Sequence, residues 1–118
     1  NGGAIYNFKQ TNYGKITTIS GDFASNSATS GGAIYNISGG EIGNITGDFE
    51  GNFATNNGGA INNENASSKI GNITGNFKGN HADGASGYGG AIYNSGIIEN
   101  IIGFTIMSRS KFKSQRIG

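Results

Sequence analysis

One histidine, seven carboxylates and no cysteine are the side chains available for acid–base, metal or nucleophilic chemistry near neutral pH. His81 has no second histidine or cysteine with which to build a usual zinc site. No Ser and Asp pattern around it suggests a triad, so it reads as an exposed loop residue. Asp22, Asp48 and Asn76 occupy equivalent places before Phe23, Phe49 and Phe77. Stacked on one another, the acids could bind calcium or act as paired carboxylates in a polysaccharide hydrolase. The third member is an amide, however, and Asp before a strand is ordinary turn chemistry. That column therefore reads as structural. The glycine-rich run Ile37-Ser38-Gly39-Gly40 lacks the Lys-Ser/Thr of a phosphate loop. The Asn-x-Ser/Thr triplets at Asn36, Asn44, Asn65 and Asn72 read as by-products of composition. The expectation is a chain with no catalytic residue, no metal and no cofactor.

The elements that position any site come from an internal repeat. Gly-Gly-Ala-Ile opens at Gly2, Gly31, Gly58 and Gly89, at intervals of 29, 27 and 31 residues. A unit of this length cannot bury its own apolar face and must stack on its neighbours. Aligned on the double glycine, the copies share three apolar patches. The first carries Ile5/Asn7, Ile34/Asn36, Ile61/Asn63 and Ile92/Asn94. The second carries Ile16/Ile19, Ile42/Ile45, Ile70/Ile73 and Ile98/Ile101. The third carries Phe23/Asn26/Ala28, Phe49/Asn52/Ala54 and Phe77/Asn80/Ala82. Each patch is short, β-branched or aromatic, and bounded by Gly, Asn, Ser or Thr, which is how a strand between turns reads.

Three short strands per repeat describe one coil of a parallel β-helix, with like residues stacked about 4.8 Å apart. The expected fold is all-β, with three to four such coils. Inward stacks are expected for Ile5/Ile34/Ile61/Ile92 and Phe23/Phe49/Phe77. Asn26, Asn52 and Asn80, like Asn7, Asn36, Asn63 and Asn94, read as amide ladders rather than as a sugar-binding groove. The position after the conserved isoleucine is Tyr6, Tyr35, Asn62 and Tyr93. A place that accepts Asn should face outward, which makes Tyr6, Tyr35 and Tyr93 a candidate binding strip. Asp83 and Tyr88 join it from the longest inter-repeat loop, since variable loops of a solenoid are where function gathers.

Gly-Gly-Ala-Ile alternating with Phe23-Ala-Ser-Asn26, Phe49-Glu-Gly-Asn52 and Phe77-Lys-Gly-Asn80 resembles the repeat of chlamydial-type polymorphic outer-membrane proteins. The likeness spans residues 2 to about 103. It implies a right-handed β-helix in the passenger of an autotransporter adhesin, at the outer-membrane surface or secreted. Its partners would then be glycans or proteins on host or neighbouring cells. A β-helical polysaccharide lyase or hydrolase, or a purely structural spacer, are the alternatives.

Glycine and asparagine, 23 and 17 residues, make up about a third of the chain, yet its apolar residues recur regularly. Disordered tracts have no such spacing. The net charge of +1 is unevenly spread: residues 1–106 hold four lysines against seven carboxylates, while residues 107–118 hold Arg109, Lys111, Lys113 and Arg116 and no acid. The pattern stops near Gly103, so residues 1–104 read as the repeat and 105–118 as a basic, poorly ordered tail. Four charges without an aromatic platform argue against nucleic acid. No apolar run approaches the roughly 18 residues that cross a bilayer, so membrane contact is expected only through other segments. The chain begins inside a repeat, at Asn1, and reads as a piece of a longer protein. Its open ends should promote self-association.

Overall fold

The computed structural model describes residues 2–9, 11, 14–83, 88–102, 106–108 and 111–114. They form a parallel β-solenoid of about three turns, with no helix among the described residues. The first coil supplies β1 (Ile5–Phe8), β2 (Lys15–Ser20), β3 (Phe23–Ala24) and β4 (Ser27–Ala28). The second supplies β5 (Ile34–Ile37), β6 (Glu41–Thr46), β7 (Phe49–Glu50) and β8 (Phe53–Ala54). The third supplies β9 (Ile61–Glu64), β10 (Lys69–Thr74) and β11 (Phe77–Ala82). After it come β12 (Tyr88–Asn94), β13 (Ile97–Ile102), β14 (Ile106–Ser108) and β15 (Lys111–Ser114). The strands stack as a five-stranded sheet in the order β1-β5-β9-β12-β15 and a four-stranded sheet in the order β13-β10-β6-β2. The third sheet runs β3-β7-β11-β8-β4. Parts of residues 105–118 are thus strand: β14 pairs with β11 and β15 with β12.

The third sheet is split in its first two coils where the sequence suggests one patch. Ser25, Gly51 and Gly79, the residues before the ladder asparagines, have φ of 56°, 65° and 65°. A left-handed residue turns the chain there, and glycine adopts that conformation without strain. β11 runs through the turn and joins both halves.

Register places every core residue above its counterpart. Ile5, Ile34, Ile61 and Ile92 align, as do Ile16, Ile42, Ile70 and Ile98, and Ile19, Ile45, Ile73 and Ile101. From the second coil on, the conserved isoleucines of the first sheet are fully buried. Phe23, Phe49 and Phe77 form a column of nearly parallel rings with centroids 4.9 and 4.8 Å apart. Ile5, Ile16 and Phe23 of the first coil are only partly buried against this core, because no described strand covers β1, β2 or β3 on that side.

Two buried amide ladders hold the corners. Asn7 donates to Asn36, Asn36 to Asn63 and Asn63 to Asn94, each through Nδ2 to Oδ1 at 2.8 Å. Asn26 donates to Asn52 at 3.0 Å and Asn52 to Asn80 at 2.8 Å. Backbone groups use the remaining capacity of the central amide: Asn52 Nδ2 also donates to the Phe23 carbonyl, and its Oδ1 accepts from the Asn26 N–H. Both ladders donate toward the C-terminal coils, a sense fixed by these backbone partners. Removing Asn52 strands several buried groups, each at a penalty of about 1 to 3 kcal/mol before water relieves part of it. Asn52→Ala should therefore lower stability by about 2 kcal/mol in denaturant unfolding. An unchanged midpoint would show that the ladder contributes nothing.

Candidate binding surface

In β1 the side chains alternate. Ile5 and Asn7 point inward, while Tyr6 and Phe8 point out and are 46% and 41% exposed. The Tyr6 ring lies 5.2 Å from Phe8 and 5.5 Å from Tyr35, both in tilted contact. Tyr93 continues the row in register beyond Asn62 and is half-buried, as Tyr35 is. This brings Tyr6, Tyr35 and Tyr93 onto one flank. Asp83 is not part of that row: it is exposed and its carboxylate lies 3.1 Å from His81 Nδ1. Tyr88 begins β12, and residues 84–87 of the loop between them lie outside the described residues.

Two sequence expectations change here. Asn62 holds an outward register position but is fully buried. Its shorter side chain folds along the sheet surface, where Nδ2 donates to Glu64 Oε1 at 3.2 Å and to the Asn57 carbonyl at 3.4 Å. His81 is not a loop residue. It sits in β11, partly buried, with its ring 4.6 Å from that of Phe53.

Tyr35 donates from its hydroxyl to Glu64 Oε1 at 3.3 Å. Burial first, then the negative charge of Glu64, its hydrogen bond and Tyr6, push the Tyr35 phenol up to about 12. A phenol whose folded pKa is raised stabilises the fold fully below its unfolded value near 10, and this contribution disappears as pH rises through the folded value. Ultraviolet titration should show the Tyr35 step above the usual phenol range, and Glu64→Gln should bring that step down by removing the charge. A titration unchanged in Glu64→Gln would remove Glu64 from the cause.

The acidic column is occupied by backbone capping. Asp22 Oδ1 accepts the Asp48 N–H at 3.0 Å, and Asp48 Oδ1 accepts the Asn76 N–H at 3.1 Å. Asn76, the third member, enters the column through its backbone N–H, and its own Oδ1 is buried without a hydrogen-bond partner among the described residues. No group of three or more His, Asp or Glu among the described residues is arranged to hold a metal ion.

A feature that sequence reading passed over lies on the four-stranded sheet. Asn100 Nδ2 donates to Asn72 Oδ1, and Asn72 Nδ2 donates to Asn44 Oδ1, both at 2.8 Å and exposed to solvent. The repeated Gly-Asn-Ile-Thr at residues 43–46 and 71–74 carried the signal. Beside this ladder is a depression of about 180 Å³ lined by Lys15, Glu41, Gly43, Lys69, Gly71 and Glu99, among others.

The repeat units described above coincide with a known family. The profile of the Chlamydia polymorphic membrane protein repeat matches residues 20–37, 46–64 and 73–95, three stretches that together cover half of the chain. The chain belongs to the Chlamydia polymorphic membrane protein repeat family. Each matched stretch runs from the phenylalanine column through the Phe-x-x-Asn turn and on to the next double glycine. The family motif is thus the part of the coil that holds the ring stack, both buried ladders and the tyrosine row. Membership in the Chlamydia polymorphic membrane protein repeat family places the chain among surface-exposed repeat proteins with a β-helical fold. No curated protein and no solved structure matches the chain.

Proposed function

We propose that this chain is an attachment segment of a surface-displayed repeat protein, contacting host or neighbouring cells through the aromatic flank Tyr6–Phe8–Tyr35. The observation that carries the reading is the exposure of Tyr6 and Phe8 in mutual ring contact on one flank. Contiguous exposed aromatics are what protein–protein and protein–ligand contacts recruit. Tyr6 and Phe8 are not needed to fill the core. The engagement of Asp22 and Asp48 in backbone capping favours attachment over glycan hydrolysis.

The test displays the chain on beads and scores adhesion to cultured cells. The double variant Tyr6→Ser/Phe8→Ser should keep its cooperative unfolding, since neither ring is buried, and should lose adhesion at least about tenfold, the scale of one interface hot spot. Undiminished adhesion by a folded double variant would sink the aromatic flank as the contact. Failure of the parent chain to adhere at all would leave a spacer role instead.

A further inference from the structure

We propose that the outer face of the four-stranded sheet is a second binding site, taking an uncharged, linear glycan laid across the coils. It draws on the attachment reading only for the location where such a polymer is met, and it uses a different face. Three observations converge there.

The floor is bare. A methyl group at Gly43 would stand 2.4 Å from the Thr17 carbonyl oxygen, so the coils approach too closely for any side chain. At Gly71 it would also meet backbone, the Gly43 carbonyl oxygen. The resulting depression of about 180 Å³ is smaller than the about 300 to 1,000 Å³ of a drug-sized pocket. It suits one sugar ring of a longer chain.

The walls offer planar and charged groups with hydrogen-bonding capacity left over. An Asn amide has two N–H donors and two acceptor lone pairs. Within the ladder Asn72 uses one of each, leaving one of each at the exposed edge. On the other side Lys15, Glu41 and Lys69 align across neighbouring strands. Glu99 reaches over the floor, its Oε1 3.5 Å from where a methyl group at Gly71 would be. None of these four charges makes an ion pair among the described residues, where His81–Asp83 is the pair found.

The charges balance. Two ammonium groups and two carboxylates give the groove no net attraction for a polyanion or a polycation. With no aromatic ring in the lining and only the buried Ile42 as an apolar neighbour, a peptide finds no side-chain pocket. Vicinal hydroxyls, each both donor and acceptor, fit the mixed array of amide, carboxylate and ammonium. The amide row Asn44, Asn72 and Asn100 repeats at the strand spacing, about 4.8 Å, while the facing row alternates in charge from Lys15 to Glu41 to Lys69, so a polymer crossing the coils meets donors and acceptors in turn.

The experiment titrates the isotope-labelled chain with neutral cello-, malto- and laminari-oligosaccharides, followed by NMR at low and high sodium chloride. Heparin serves as the charged comparator. The expected result is that one neutral series shifts the backbone amides of β6 and β10 and the Asn72 side-chain amide, with an affinity insensitive to salt. Asn72→Ala and Lys69→Met should each weaken that binding about tenfold in chains that still unfold cooperatively. Tyr6→Ser/Phe8→Ser should leave it unchanged, which separates this site from the aromatic flank. No shift with any neutral series, binding of heparin alone, or undiminished binding in both groove variants would overturn the proposal. Cell adhesion that survives such a result would leave the attachment reading standing by itself.

Discussion

Phe49→Ala is expected to lower the unfolding free energy by about 3 to 5 kcal/mol, the usual cost of truncating a fully buried phenylalanine. The site cannot collapse to soften that loss. Phe49 is held between Phe23 and Phe77 in a column whose backbone spacing is set by the ladder hydrogen bonds of β3, β7 and β11. Removing the middle ring leaves a cavity with an aromatic face above and below it. Its stacking with two partners disappears at the same time, each contact contributing about 0.5 to 1.5 kcal/mol beyond simple burial. Phe23→Ala in the half-covered first coil is the internal control and should be milder. Chemical denaturation of both variants provides the check. A loss below about 1 kcal/mol for Phe49→Ala would place its ring outside the core and break the solenoid register.

Gly59→Ala should be at least as damaging, by more than about 3 kcal/mol, beyond the ordinary range for overpacking. A methyl group at this second glycine of the repeat motif would meet the Gly90 carbonyl oxygen at 2.0 Å and the backbone N and O of His81 at 2.6 and 2.7 Å. All three obstacles are main chain, so no rotamer change relieves them. The backbone at Gly59–Ala60 must move away from that at Gly89–Ala91, which breaks the hydrogen bonds from Gly59 N–H to the Gly89 carbonyl and from Ala60 N–H to the Ala91 carbonyl. The same construction recurs at Gly32, where Gly59 supplies the obstructing oxygen. The expected readout is loss of cooperative unfolding in circular dichroism. A well-folded Gly59→Ala chain of wild-type stability would show that the coils are further apart than described.

Much of the architecture was legible because a solenoid writes its core along the chain at a fixed interval. Ile34, Ile61 and Ile92 share a column because each sits at the same offset from a double glycine. The phenylalanine stack follows by the same logic. Less could be read where a residue's surroundings are not periodic. Asn62 departs from the tyrosine row and is covered because local hydrogen bonds to Asn57 and Glu64 pull it flat. His81 was misplaced because its column holds Ser27, Phe53 and His81, three unlike residues, so the short strand after the left-handed turn leaves no repeated mark in the sequence. The groove went unread for a different reason. Its floor exists because glycine permits two backbones to touch, and its walls come from residues 15, 41, 69 and 99, which no single repeat unites.

The two buried amide ladders give the stack an arrow. Every link in them points its N–H toward the C-terminal coil and its oxygen toward the N-terminal one. By the same geometry Asn7 turns its oxygen outward at the first coil. The exposed ladder on the four-stranded sheet runs the other way, Asn100 donating to Asn72 and Asn72 to Asn44. Turning one buried amide over would set oxygen against oxygen on one side and N–H against N–H on the other. Each amide therefore takes its orientation from its neighbour, and the sense is handed from coil to coil. The direction of the chain is thus written into its buried side chains as well as into its strands.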